Sequence, residues 1–595
     1  MACMPAVCLS AQLTRLRTAL DGFLETIFIR KAINAPVGGF FVFRTMTERI
    51  EIYDTTLRDG AQGEGVNFSV ADKCRIAEHL DALGFDFIEG GWPGSNPRDI
   101  AFFEQARTLR LNHARVAAFG ATRRKQITCD KDQSIQALLK AETPVVTVFG
   151  KSWLLHVTDA LRVEPDENLD IIADTIAYLT ARVPFVIYDA EHFFDGYRAN
   201  PEYAIATLKA ALSGGPQRIV LCDTNGGSLP EFIAAATRDV VRSVRTLLAC
   251  STPEACVPIG IHCHNDGELA VANTIAAVSA GATHVQGTIN GYGERCGNVN
   301  LCSVIPNLEL KLGHIVLGPE RLTRLRETAH FVSEVANFSL DSRAAFVGDS
   351  AFAHKGGVHV SAVERNPQTY EHIPPEAVGN RRRVLVSDLS GRANLLAKAE
   401  ELGFDIHDEQ HVLDELKRLE HDGYEFEAAE ASFELLVQRL RGAHQPYFEL
   451  LGFRVIDEHR GASMPMSEAT IKIKVADCVE HTAASGNGPV NALDRALRRA
   501  LGKFYPTLSE MHLSDYKVRV ISSRLSGTAS LVRVLIASVD EHATWGTVGV
   551  SPNIVEASWR ALVDSVEYKL TRDGIVPISL DRNKATRELL ELTPS

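Results

Sequence analysis

The chain has 595 residues, 45% of them hydrophobic and 23% charged: too long for one hydrophobic core, ordinary for a folded globular protein, and without an apolar run near the ~20 residues that span a bilayer. A net charge of −13 lacks the basic footprint of a nucleic-acid binder, although local basic residues would still admit an anionic ligand. The 11 cysteines are scattered with no CxxC pair, a pattern expected of reduced thiols in a cytoplasmic protein.

Residues 1–46 carry Arg15, Arg17, Arg30, Lys31 and Arg44 against only Asp21 and Glu25. Such an opening is compatible with a transit peptide. A strong strand pattern begins at Arg49, however, so we expect an extension ahead of a natural start at Met46. From there eight short β-rich runs recur: Ile50–Asp54, Phe85–Gly90, Arg115–Gly120, Val145–Gly150, Phe185–Asp189, Ile219–Asp223, Ile259–His262 and His284–Ile289. Amphipathic sequence separates them; Ala71–Leu83, for example, sets Ile76, Leu80 and Leu83 on one helical face. Eight βα units at a spacing of roughly 30–40 residues predict an α/β fold, a (β/α)8 TIM barrel over residues 47–317. A doubly wound sheet alternates in the same way, but the first βα turn lacks a GxGxxG fingerprint. Polar residues also end almost every run: Arg58, Glu89, Lys151, Glu191, Asp223 to Asn225, His262 and His264, and Asn290. In a barrel those ends converge on one face.

Residues 318–455 hold charged amphipathic stretches such as His411–Leu419 and predict helical linker subdomains. Over 456–580, Ala469–Val475 alternates as a strand and Gly488–Leu497 opens a helix; Leu531–Ile536 and Ser551–Leu562 repeat the pair. Both helices have Pro near their start. This internal repeat predicts a small α+β module, with a tail at 581–595.

His262 and His264 end the seventh run two residues apart, so their imidazoles share one face while Cys263 points oppositely. Barrel closure leaves only the eighth strand between them and the first, whose following turn supplies Asp59. One carboxylate and two imidazoles with open positions suit a Lewis-acid divalent metal, Mg, Mn, Zn or Co alike. Paired histidines can also merely hydrogen-bond in a polar rim, and Asp59 can serve as a turn cap.

At these residues the chain resembles the acetyl-CoA-dependent carboligases of the metallolyase barrel superfamily, which include 2-isopropylmalate, homocitrate and citramalate synthases. Leu57–Gln62 with Lys73 matches the group's first signature, His262–Asp266 its second, and Gly291–Asn298 its loop after the last strand. Isopropylmalate synthases usually carry Glu at the position of Ala61. The segments Gly63–Gly65, Glu89–Pro97, Phe149–Trp153 and Tyr188–Gly196 resemble the citramalate synthase branch.

The resemblance implies an acyltransferase that condenses acetyl-CoA, as co-substrate, with pyruvate and hydrolyses the thioester to citramalate and CoA, in isoleucine biosynthesis. A 2-isopropylmalate or homocitrate synthase is the near alternative, a metal-dependent acyl-CoA lyase a more distant one. It implies that Arg58 stabilises the developing oxyanion, unless it is a structural ion pair with Glu191 or Asp223. Glu191 acts near the substrate, Thr224 contacts the keto-acid carboxylate, and Asn298 touches the metal shell or the thioester. His359 is the implied base and Tyr370 its companion, both reaching a partner subunit's site in a homodimer. The C-terminal module resembles a regulatory domain, for which isoleucine is the implied effector. Arg123–Lys125 could meet CoA phosphates or form a solvated face. Neither nucleic acid nor membrane is an expected partner.

Overall fold

The computed structural model describes residues 48–249, 256–385, 394–395, 409–458, 466–521 and 530–578. The expected extension at 1–46 and tail at 581–595 lie outside the described residues. The chain forms two units, Met1–Ser339 and Leu340–Ser595.

In the first unit, β1 (Glu51–Asp54), β2 (Phe87–Gly91), β3 (Arg115–Ala121), β4 (Val145–Lys151), β5 (Phe185–Glu191), β6 (Arg218–Asp223), β7 (Ile259–Cys263) and β8 (His284–Gly287) follow one another around a closed barrel. β8 pairs in parallel with β1, which decides for the barrel against the doubly wound sheet. β2 and β7 are buried at every position, as expected of parallel strands covered by helices on one face and lining the barrel on the other. That double burial is why they read as near-continuous apolar runs. The helix Val70–Leu83 starts with a capping box between Ser69 and Asp72, buries Ile76, Leu80 and Leu83, and stops at Gly84 in the left-handed region. Inside the barrel Tyr53, Phe87, Val145, Ile187 and Val220 are fully buried in one cluster, each apolar side chain there contributing ~1.5–3 kcal/mol. This floor lies beneath the polar mouth. The helix Leu325–Val335 falls within the range expected for the linker, yet its Ala329 carbonyl accepts a bond from Asn290 at 2.8 Å. Asn290 is therefore tied to a helix of its own unit.

The second unit holds the helices Glu409–His421 and Glu430–Leu440 and a two-residue parallel pair, Ala353–His354 with Arg383–Val384. β9 (Glu449–Glu458), β10 (Met466–Val475) and β11 (Cys478–Gly486) then form an antiparallel sheet, followed by the helix Pro489–Leu501. β12 (His512–Ile521), β13 (Leu531–Val539) and β14 (Thr544–Ser551), with the helix Ile554–Arg572, repeat the arrangement. The expected strands are the central ones, β10 and β13. Each repeat has two further strands, and β9 runs across the expected boundary at 455/456. Ile471, Ile473, Leu497, Trp545, Trp559 and Leu562, from both repeats, belong to one apolar core. Neither repeat closes its core alone.

Seven described cysteines are free thiols. Cys256, however, is disulfide-bonded, which corrects the expectation of reduced thiols throughout; pairing depends on proximity in the fold, which scattered spacing does not reveal. No helix among the described residues is long and apolar enough to cross a membrane.

Candidate active site

The turn after β1 is pinned from below. Asp54 accepts bonds from the Thr56 amide at 3.0 Å and the Thr56 hydroxyl at 2.7 Å, and that hydroxyl oxygen accepts from the Ile289 amide at 2.9 Å. Burial pushes the Asp54 carboxyl up to about 7. This turn delivers Asp59, which precedes the short 3-10 turn Gly60–Gln62 without capping it through its side chain. The capping alternative is thereby removed. Asp59 Oδ2 lies 3.6 Å from His262 Nε2 and 3.8 Å from His264 Nε2, and the three residues are buried with ligand atoms within 4.8 Å of one another.

Several polar atoms here have no hydrogen-bond partner: Asp59 Oδ1, His264 Nδ1 and both side-chain polar atoms of Asn298. Leaving such atoms buried and unpaired is costly. Burial opposes ionisation of Asp59, but Arg58, then His264 and His262, hold its carboxyl at about 2. Burial, followed by the neighbouring His262, pushes His264 down to about 4. At neutral pH the cluster thus offers a carboxylate and a neutral imidazole with a free lone pair. That donor set fits a divalent cation.

Arg58 is not paired with Glu191 or Asp223. Its Nε donates to Glu89 Oε2 at 2.5 Å and its Nη1 to Asp59 Oδ2 at 3.1 Å. The guanidinium lies 3.8 Å from the centroid of the Phe119 ring. Glu89, fully buried, also accepts from the Tyr53 hydroxyl at 2.7 Å and from Thr55. Glu191 instead forms an ion pair with Lys151. Asp223 accepts from Ser228 and Asn273. Thr224 Oγ1 accepts from the His192 amide at 2.9 Å, which leaves its own O–H free to donate.

A cavity of about 210 Å³ is lined by Arg58, Asp59, Glu191, Thr224, His262 and His264. Its apolar wall is Trp92, which meets the Phe119 and Phe149 rings edge-on at 5.8 and 5.7 Å. The loop carrying Asn298 folds against β7, the Val299 amide donating to the Cys263 carbonyl at 2.9 Å. Within the loop the Asn298 backbone N–H donates to the Gly291 carbonyl at 3.1 Å, and Gly297 has φ 88°. Arg295 anchors this loop through both Asp266 oxygens, at 2.7 and 2.9 Å, and the Thr224 carbonyl at 2.8 Å.

Glu89, Gln286 and the aromatic wall were not singled out as site residues from sequence. Each acquires its role through a cross-strand or ring contact. Glu89 carries a signal as a strand end, and Trp92 and Phe149 lie in segments that resemble the citramalate synthase branch, whereas Gln286 and Phe119 carry none. His359 and Tyr370 belong to the second unit, where their rings stack at 4.1 Å. Beside them Glu371 is held by Arg382 through two bonds of 2.6 Å and by His354 at 3.1 Å. Arg123 pairs with Asp174 at 2.6 Å, and Lys125 donates to the Arg162 carbonyl at 3.2 Å.

Residues 49–332 match an HMGL-like family model, 346–423 a homocitrate synthase post-HMGL domain-like model, and 427–570 a LeuA allosteric (dimerisation) domain model. The chain is 56% identical over 526 residues to the (R)-citramalate synthase of Geobacter sulfurreducens, covering 88% of this chain and 97% of that one. It is 54% identical over 533 residues to the (R)-citramalate synthase of Aquifex aeolicus, covering 89% and 99%. The chain belongs to the citramalate synthase family. A 2-isopropylmalate synthase of Lysinibacillus sphaericus is similar over 89% of this chain but only 29% identical, which places that alternative at a distance. As a member of the citramalate synthase family the chain is an acetyl-CoA acyltransferase, and its C-terminal module is of the allosteric, dimerisation type.

Proposed function

We propose that this chain joins the acetyl group of acetyl-CoA to pyruvate and hydrolyses the thioester, releasing CoA and citramalate, in the R configuration that the relatives' names carry. The observation that carries the reading is the buried Asp59, His262 and His264 cluster, whose three residues line one small cavity beside Arg58. A divalent cation held by these three residues would supply Lewis-acid polarisation of the keto oxygen. Arg58, fixed by Glu89 and by the Phe119 face, donates to the oxygen on which charge develops. The free O–H of Thr224 donates to the keto-acid carboxylate, and the unpaired side-chain carboxamide of Asn298 would serve the cation shell or the thioester. Trp92, Phe119 and Phe149 leave room for a methyl group and disfavour bulkier keto acids.

His359, with Tyr370 stacked on it, takes the proton from the acetyl methyl group, reaching a partner subunit's site in a homodimer. Isoleucine, the product of the pathway, is the effector we assign to the C-terminal module, and the cytoplasm the compartment. The test offers purified enzyme pyruvate, 2-ketoisovalerate and 2-ketoglutarate while free thiol release is followed. Pyruvate is expected to lead by about tenfold or more, the discrimination that added methylenes allow in an apolar pocket. A preference for the branched or dicarboxylic acid would reject the reading.

A further inference from the structure

The two histidines of the cluster are held differently. β7 and β8 pair so that His262 stands directly opposite Gln286. His262 Nδ1 lies 2.9 Å from Gln286 Oε1, and Gln286 Nε2 donates to Asp189 Oδ1 at 3.1 Å. Gln286 is 1% and Asp189 3% exposed, so water does not compete for these bonds. His264 Nδ1, by contrast, has no partner.

A neutral imidazole carries one proton on one of two nitrogens, and the partner of the first decides what the second can do. With Gln286 Oε1 accepting, the proton sits on Nδ1, and Nε2, 3.6 Å from Asp59 Oδ2, keeps its lone pair. Were the amide turned, its N–H would face Nδ1, and the ring proton would move to Nε2 and obstruct a ligand there. Asp189 selects between the two orientations by accepting from the Gln286 N–H, which a carboxyl group does whether or not it is ionised. We infer that Gln286 is a positioning residue that fixes His262 as an Nε2 metal ligand, with Asp189 setting which way its amide faces. This rests on the reading that Asp59, His262 and His264 hold a divalent cation, and it adds that one imidazole is preset while the other is not.

The experiment titrates the full-length, metal-free protein with Mn²⁺ and follows binding by calorimetry. Gln286→Leu keeps the volume and removes the acceptor; Gln286→Glu keeps an acceptor. Gln286→Leu is expected to bind Mn²⁺ about 10–100-fold more weakly, the usual cost of losing such an outer partner, and Gln286→Glu no more weakly than the unsubstituted protein. Asp59→Ala separates the two readings. If it binds Mn²⁺ as tightly as the unsubstituted protein, the cation reading fails. If it loses binding while Gln286→Leu retains full affinity, the role of Gln286 alone fails. Nitrogen chemical shifts of His262 in the unsubstituted, metal-free protein give a check that needs no variant. A proton on Nδ1 is expected there, and a proton on Nε2 would overturn the inference.

Discussion

Two buried polar clusters, one in each unit, treat charge in opposite ways. In the second unit Lys569, 1% exposed, reaches Asp540 at 2.8 Å, Asp573 at 2.7 Å and Glu510 at 3.1 Å, and Arg572 adds a further bond to Asp540. That cation is enclosed by its own anions and ties the last helix to the loop after β13. At the barrel mouth Asp59, His264 and Asn298 are buried to a similar degree yet keep polar atoms unpaired. An unpaired buried polar group destabilises a fold, so the first arrangement serves architecture, whereas the second leaves polar atoms open to a partner from outside the chain. Glu89 stands between the two, satisfied like Lys569 but placed to hold Arg58.

Three substitutions test this contrast, in order of expected effect. Glu89→Gln removes the charge that fixes Arg58 and is expected to lower kcat on the order of 100-fold, as when one oxyanion donor is lost. Mn²⁺ affinity should hold. A variant with unchanged kcat would show that Arg58 is positioned by Asp59 and Phe119 alone. Leu497→Ala, in the core shared by the two repeats, is expected to cost about 2–5 kcal/mol in urea unfolding of the second unit. Mn²⁺ affinity of the barrel is expected to stay unchanged; if it fell in step, the division of labour between the units would be wrong.

The smallest effect is a pH dependence. Burial alone would raise the Asp540 carboxyl, but Lys569, the His542 amide and Arg572 hold it well below its usual range. A carboxyl depressed in the folded state contributes stability above its unfolded value of about 4, and that stability is lost as pH falls through the folded value. Asp540→Asn should therefore lower the melting temperature of the second unit at pH 7 and flatten its fall on acidification. An identical acid limb in both proteins would refute the assignment.

The barrel was legible in sequence because parallel strands buried on both faces leave apolar runs with polar ends, and each of the eight coincides with a strand to within a few residues. Asp59, His262 and His264 were legible for a related reason. Alternation along β7 puts both imidazoles on one face, and closure through β8 brings them beside the turn after β1 that carries Asp59. Glu89 and Gln286 were not, because their roles come from register: Ile88 opposes Asp54, and Gln286 opposes His262. In the second unit β10 alternates cleanly between buried and outward positions and was found. β11 buries little beyond its last residue, so its apolar pattern is weak and it was missed. Arg58 shows the limit most plainly. Its chemistry pointed to an acidic partner, but which one depended on neighbouring strands.

The closure of β8 onto β1 also sets an order of events. Asp59 leaves the ribosome about 200 residues ahead of His262, and a chain that folds as it emerges holds only one of the three groups for most of the barrel's synthesis. A cation that needs all three groups would therefore come too late to guide the early chain. Bound there, it would act as a latch on a barrel already shut, adding stability to the closed form alone.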